Sequence, residues 1–144
     1  MKLDTPCIGI CSTVYGDEIC RGCKRVFTEV IDWNHYDDTK KDFIFNRLAT
    51  QIVIVMKDKI EITNKQLLIE QLIQHNIRYR QEQDPLCWAY HLLRVMNHKV
   101  ETLMQAGFVI KLNYQHFTLR QLFTLIDMEL LKLSQEYYQK LVSL

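Results

Sequence analysis

Four of the chain's five cysteines stand inside seventeen residues, as Cys7-Ile-Gly-Ile-Cys11 and Cys20-Arg-Gly-Cys23. The spacing C-x3-C-x8-C-x2-C describes two close pairs on a short loop, which can fold back until four sulfurs face one centre. Thiolate is a soft, charged ligand, and four of them converging in an apolar setting repel one another. A bound cation removes that penalty, so ion binding and local folding become one event. The competing readings are two disulfides or four unrelated buried thiols. The chain opens Met1-Lys-Leu-Asp-Thr-Pro, without the apolar run of a secretory signal, and a cytosolic chain keeps its thiols reduced. The pattern points to a metal centre on Cys7, Cys11, Cys20 and Cys23.

The other chemistry-bearing residues are weaker signals. Cys87 beside Trp88 near a helix start would be reactive if its thiol pKa were low, but a free cysteine is more often a small core residue. His35, His75, His91, His98 and His116 show no i, i+4 pair of the kind that holds an ion on a helix. His35 lies twelve residues past Cys23 and is the one histidine placed to replace a thiolate, which a filled four-sulfur site does not need. Asp37, Asp38 and Glu136 have no partner carboxylate arranged for acid–base work and read as caps or solvated faces. No phosphate loop or nucleophile motif is present, and the expectation is a protein without enzymatic activity.

The elements that must position the cysteines follow from local signals. Gly16-Asp17 between the pairs marks a turn and suggests a short hairpin-like excursion, while Gly9 and Gly22 permit tight cysteine loops. Beyond Cys23, Val26, Phe27, Val30, Ile31 and Trp33 make an apolar helical face, whose positive start would aim at the thiolates. Asp37 or Asp38 caps a second helix with Phe43, Ile44, Leu48 and Ile52 on one side, and Gln51–Met56 reads equally as helix or buried strand. Residues 60–63 are β-like. Thr63 with Gln66 forms a capping box opening a helix to about residue 78. Asp84-Pro85 opens another, with period kept from Leu86 through Val100 and Leu103 to a cap at Gly107. Residues 108–112 suggest a strand, and Thr118 with Gln121 opens the last helix, striped by Leu119, Leu122, Phe123, Ile126, Leu130, Leu133, Tyr137 and Leu141.

The chain has 144 residues, 48% apolar and 24% charged, enough to bury a core. Its net charge is +1, which argues against a strongly basic nucleic-acid binder or a polybasic membrane anchor. No apolar run is long enough to cross a bilayer, and the expectation is a cytoplasmic protein.

Thr5-Pro-Cys-Ile-Gly-Ile-Cys11, Ile19-Cys-Arg-Gly-Cys-Lys-Arg25 and Glu29-Val-Ile-Asp-Trp33 together resemble domain-of-unknown-function family 1289, small bacterial proteins described as predicted iron–sulfur proteins. The likeness runs from about residue 5 to 50, continuing through Asp37-Asp-Thr-Lys-Lys41 to Arg47-Leu48. It implies Cys7, Cys11, Cys20 and Cys23 as ligands and carries no activity.

The ion is open between zinc and an iron–sulfur cluster. Two ligand pairs with a turn between and a helix after suit closed tetrahedral zinc, whereas the usual cluster motifs group three cysteines tightly. The family description, and Ile8, Ile10 and Ile19 as shields against water, favour a cluster. Charge does not discriminate, because Arg21, Lys24 and Arg25 would balance either. Ligand spacing puts zinc ahead.

The expected architecture is mainly α: a four-cysteine module with a short hairpin at residues 1–36, and a bundle of four to five helices at 37–144, packed as one compact unit. The expected role is a metal-binding interaction or adaptor module, docking a protein partner or a second copy through the helical body. One alternative is an iron–sulfur redox or sensing protein. Another is a winged-helix-like nucleic-acid-binding regulator contacting phosphate through Arg78, Arg80, Arg94, His98 and Lys99.

Overall fold

A computed structural model describes residues 4–99, 103 and 105–143. It is mainly helical, with five α-helices and one two-stranded sheet among the described residues: α1 Phe27–Ile31, α2 Asp38–Met56, β1 Ile60–Ile62, α3 Lys65–Gln74, α4 Pro85–Met96, β2 Phe108–Ile110 and α5 Leu119–Val142. Two compact units divide the chain. One is Asp4–Gln51 with Met128–Leu144, the other Ile52–Asp127.

In the first unit, Asp37 opens α2 by accepting the Lys40 N–H at 2.8 Å. Ile44, Phe45 and Leu48 of α2, Trp33, Val26 and Leu130 are buried. Trp33 meets Phe45 edge-on at 5.6 Å between ring centres. Gln51 and Ser134 are also buried and satisfy one another, the Ser134 hydroxyl donating to Gln51 Oε1 at 3.0 Å. The ambiguous run after Gln51 is helical: the β-branched residues Ile52–Val55 continue α2 to Met56. Here burial of Val55 and Met56 outweighs a local strand preference.

In the second unit, β1 and β2 pair antiparallel, Ile60 opposite Ile110 and Ile62 opposite Phe108. Thr63 and Asn64 N–H groups both donate to the Gly107 carbonyl, at 2.8 and 2.9 Å. Gly107 has φ +85°, and a Cβ there would stand 2.2 Å from the Asn64 carbonyl oxygen, so only glycine fits. On the far side of β2, Gln115 Nε2 donates to the Ile110 carbonyl at 3.0 Å.

The helix ends differ from the sequence expectation in instructive ways. The cap of α3 is Asn64, not Thr63; its Oδ1 accepts the Leu67 N–H at 3.0 Å. The helix stops at Gln74 rather than near 78 because Asn76 turns left-handed, φ 55°. Ile77 and Asn76 N–H groups then close on Leu72 and Ile73 carbonyls at 2.9 and 3.1 Å, a Schellman ending. α4 begins as expected, with Asp84 accepting the Leu86 N–H and Pro85 first in the helix. It ends at Met96 because the Asn97 side chain donates to the Leu93 and Arg94 carbonyls, at 3.0 and 3.1 Å. Val100, expected to continue that stripe, lies outside the described residues. The Thr118–Gln121 box forms in both directions, at 2.9 and 3.1 Å.

α4 is the most enclosed helix: every residue from Cys87 to Leu93 is buried. His91 is among them, and its Nδ1 has no hydrogen-bond partner among the described residues. Burial, with Arg94 nearby, depresses its pKa to about 4. Unfolding restores the ordinary value near 6.5, so the unfolded chain takes up a proton that the folded one refuses. Stability should therefore be flat above about pH 6.5 and fall by up to roughly 3 kcal/mol as pH drops toward 4. Urea titrations across that range should show the slope, and His91→Gln should remove most of it.

Candidate metal centre

The second cysteine pair is built as a tight knuckle. The Lys24 N–H donates to the Cys20 carbonyl at 2.8 Å and the Cys20 N–H to the Arg25 carbonyl at 2.9 Å, closing the loop from both ends. Ile19 and Val26 bridge antiparallel across its base. The expected hairpin thus sits around the second pair. Between the pairs the chain instead makes a 3₁₀ turn at Ser12–Tyr15, ended by Gly16 in the left-handed region. The left-handed residue of the knuckle is Lys24, φ 69°. Its ammonium curls back to the Arg21 and Gly22 carbonyls, which holds an otherwise unfavourable conformation.

Cys20 and Cys23 share this turn, and a side-chain hydrogen bond between them couples the two thiols. That bond holds the Cys20 pKa down to about 4, against the opposing effect of burial. The same bond and burial push Cys23 well above the usual thiol range, while Arg25 pulls it down. Arg25 Nε donates to Cys23 Sγ at 3.2 Å, and the guanidinium lies 4.9 Å from the Trp33 ring centre. Arg25 is only 3% exposed, and no carboxylate pairs with it among the described residues. The positive charge beside the sulfurs comes from this side chain. α1 starts only at Phe27 and spans five residues, so its N-terminus is not at the pair.

The first pair is placed differently. Cys7 is exposed and its sulfur accepts the Gly9 N–H at 3.4 Å, with Gly9 at φ 90°. The Cys11 sulfur is engaged with Thr13 Oγ1 at 3.1 Å. The backbone between them nevertheless lies on the knuckle. The Cys20 thiol reaches the Ile10 carbonyl at 3.4 Å, and the Arg21 N–H donates to Ser12 Oγ at 2.8 Å. Gly22 is buried beneath this loop; a Cβ on it would stand 2.5 Å from the Ile10 carbonyl oxygen. Among the described residues no three His, Cys, Asp or Glu side chains converge on a point that could hold an ion. The structure joins Cys20 to Cys23, lays the first loop's backbone against them, and leaves the Cys7 and Cys11 sulfurs in separate local contacts.

Glu29 anchors the knuckle to the helices. One carboxylate oxygen accepts the Val26 N–H at 2.9 Å and both accept from the Arg47 guanidinium. Arg47 in turn lies 4.1 Å from the Tyr137 ring centre on α5. Nothing local in the sequence marks this relay, because Glu29 and Arg47 are eighteen residues apart. Cys87 is fully buried, and burial reinforced by Asp84 raises its pKa to about 12, leaving an inert core thiol. His35 is exposed at the end of a 3₁₀ turn, and Asp37, Asp38 and Glu136 are solvated. No helix among the described residues is long and apolar enough to cross a membrane.

Residues 5–52 match the model of a protein family of unknown function, DUF1289. The matched segment is about a third of the chain and ends one residue past the Asp4–Gln51 stretch of the first unit. No curated protein matches the chain, and neither does any solved structure.

Because Gly22 admits no side chain, Gly22→Ala should lift the first cysteine loop off the knuckle and cost about 1–3 kcal/mol. Thermal unfolding should show a lower midpoint for the variant. Amide exchange should be fastest at residues 8–12 if the damage is the local one expected.

Proposed function

We propose that Cys7, Cys11, Cys20 and Cys23 together hold one metal ion, zinc ahead of an iron–sulfur cluster, and that the protein is a non-enzymatic interaction module stapled by that ion. The observation that carries the reading is Arg25. A guanidinium removed from water needs an anion near it, since an unpaired buried charge costs several kcal/mol. The partner Arg25 has is a cysteine sulfur, at 3.2 Å from Nε. A neutral thiol is a poor counter-ion; a thiolate held by a metal is a permanent one. The donor set agrees, because two sulfurs are already paired and the loop carrying the other two is seated against them by Ile10 and Ser12. When bound, zinc would supply a closed four-sulfur cross-link without redox chemistry, the fourfold thiolate charge being offset by the ion, Arg25 and Lys24.

The interaction role is supported by what this module exposes. Ile10, Val14 and Tyr15 are 62%, 73% and 89% exposed, all on the first cysteine loop and the turn after it. A metal that fixes this loop would also fix that apolar face. The nucleic-acid reading gains no such support: α4, the helix it would use to read a groove, is buried from Cys87 through Leu93.

Protein purified anaerobically without added metal should be colourless and contain one zinc per chain by elemental analysis. A brown, sulfide-containing sample would replace zinc by a cluster, and a metal-free, fully folded chain would end the reading. Arg25→Gln should weaken zinc retention against a competing chelator by about tenfold, the size expected for loss of a group bonded to a ligand. Arg21→Gln, at an exposed side chain whose partner among the described residues is Asp17, should leave retention within about twofold.

A further inference from the structure

The first unit spends its cations inside and leaves its surface acidic. Lys24 and Arg25 are buried, and Arg47 is met by Glu29. Apart from these four, the described residues of the unit carry nine acidic and five basic side chains, a formal net of −4, although the chain as a whole is +1. Within this unit a cleft of about 420 Å³ opens between the turn at residues 16–21 and one face of α5. Ile19 and Leu131 give it apolar lining, while Tyr138 with Gln135 and Gln139, one helical turn apart, give it hydrogen-bonding groups. Of its three charged residues, Arg21 is met by Asp17 at 3.3 Å, which leaves a formal charge of −1 carried by Glu18. Val14 and Tyr15, next in sequence to the cleft, lie exposed on the 3₁₀ turn that Gly16 ends.

Apolar lining beneath a carboxylate matches a side chain with an aliphatic stem and a cationic head. The sign of the surrounding surface steers such a segment inward and repels nucleic acid and anionic lipid. We propose that the cleft docks a basic peptide segment of a protein partner. A Lys or Arg side chain enters with its stem on Ile19 and Leu131 and its charge on Glu18, and an apolar neighbour in the segment covers Val14 and Tyr15. The docking rests on the interaction role proposed above and not on the ion.

The test follows backbone amide shifts of the full chain, its zinc content measured, as two end-blocked pentapeptides are titrated in: Gly-Leu-Lys-Leu-Gly and its Glu counterpart. The lysine peptide should move amides at 14–21 and 131–139, and its affinity should fall as salt rises from about 50 to about 300 mM. The glutamate peptide should move none. Glu18→Gln should weaken binding about threefold, the size of one exposed ion pair, and Tyr15→Ser should weaken it too. Asp38→Asn, the same loss of charge at the solvated start of α2, should leave affinity unchanged. Shifts that are absent or fall elsewhere, an equal response to the glutamate peptide, or an unaltered affinity in Glu18→Gln would overturn the docking. Displacement of the peptide by spermidine at equal concentration would assign the cleft to small polyamines, and a dimer that Glu18→Gln dissociates would assign it to a second copy; either overturns the peptide. No binding by a zinc-loaded chain sinks the docking and leaves the ion in place, whereas binding by a folded chain without zinc keeps the docking and overturns the metal reading.

Discussion

A single carboxylate, that of Glu29, holds the first unit in register. It takes the Val26 N–H at the exit of the cysteine knuckle and receives both nitrogens of the Arg47 fork on α2. Arg47 then rests on Tyr137, so the relay runs from the knuckle to the last helix through two side chains. Both charged groups are nearly buried, at 7% and 10% side-chain exposure. Removing one partner from such a pair strands the other, at a cost of about 3–5 kcal/mol, whereas an exposed pair is worth a fraction of that. The knuckle is therefore held by a contact with little tolerance for substitution at either end.

The charge logic of the knuckle is built on that anchor. Arg25 and Lys24 are both 3% exposed, an unusual concentration of buried cations in consecutive positions. Lys24 stabilises the loop's own carbonyls and Arg25 faces the sulfur and Trp33. Lys41 lies 5.6 Å from the centre of the same Trp33 ring. A tryptophan that accepts two cations is an electrostatic participant in the module as well as a core residue.

Much of this was legible from the sequence where the signal is local. The Asp84-Pro85 start and the Thr118–Gln121 box depend on residues within four positions of each other, and both form as read. The mainly helical class follows from helical periodicity, and both strands lie within the short β-like runs read at 60–63 and 108–112. Legibility failed where two local candidates compete, as at Thr63 and Asn64, and where a cap of a different kind ends a helix early, as Asn97 does for α4. Arg25 was among the cations read as balancing the thiols and does stand on Cys23, whereas the helix start expected to help begins only at Phe27. The pairing of Glu29 with Arg47 was beyond reach, because it depends on how α1 and α2 pack, which no spacing encodes. The cysteines themselves were conspicuous in type and spacing, yet the unequal setting of the two pairs emerges only in three dimensions.

The contact between Gln115 and the Ile110 carbonyl has an effect larger than its size. In the register Ile60 to Ile110, that carbonyl points away from β1, along the side on which another strand would add. An amide donor at 3.0 Å occupies it. Exposed backbone along a strand invites neighbouring molecules to zip on, and a side chain folded over one of its acceptors blunts that template. A protein with exposed apolar residues such as Val109 in this strand and Leu112 just beyond it has reason to keep its ribbon closed to accidental polymerisation.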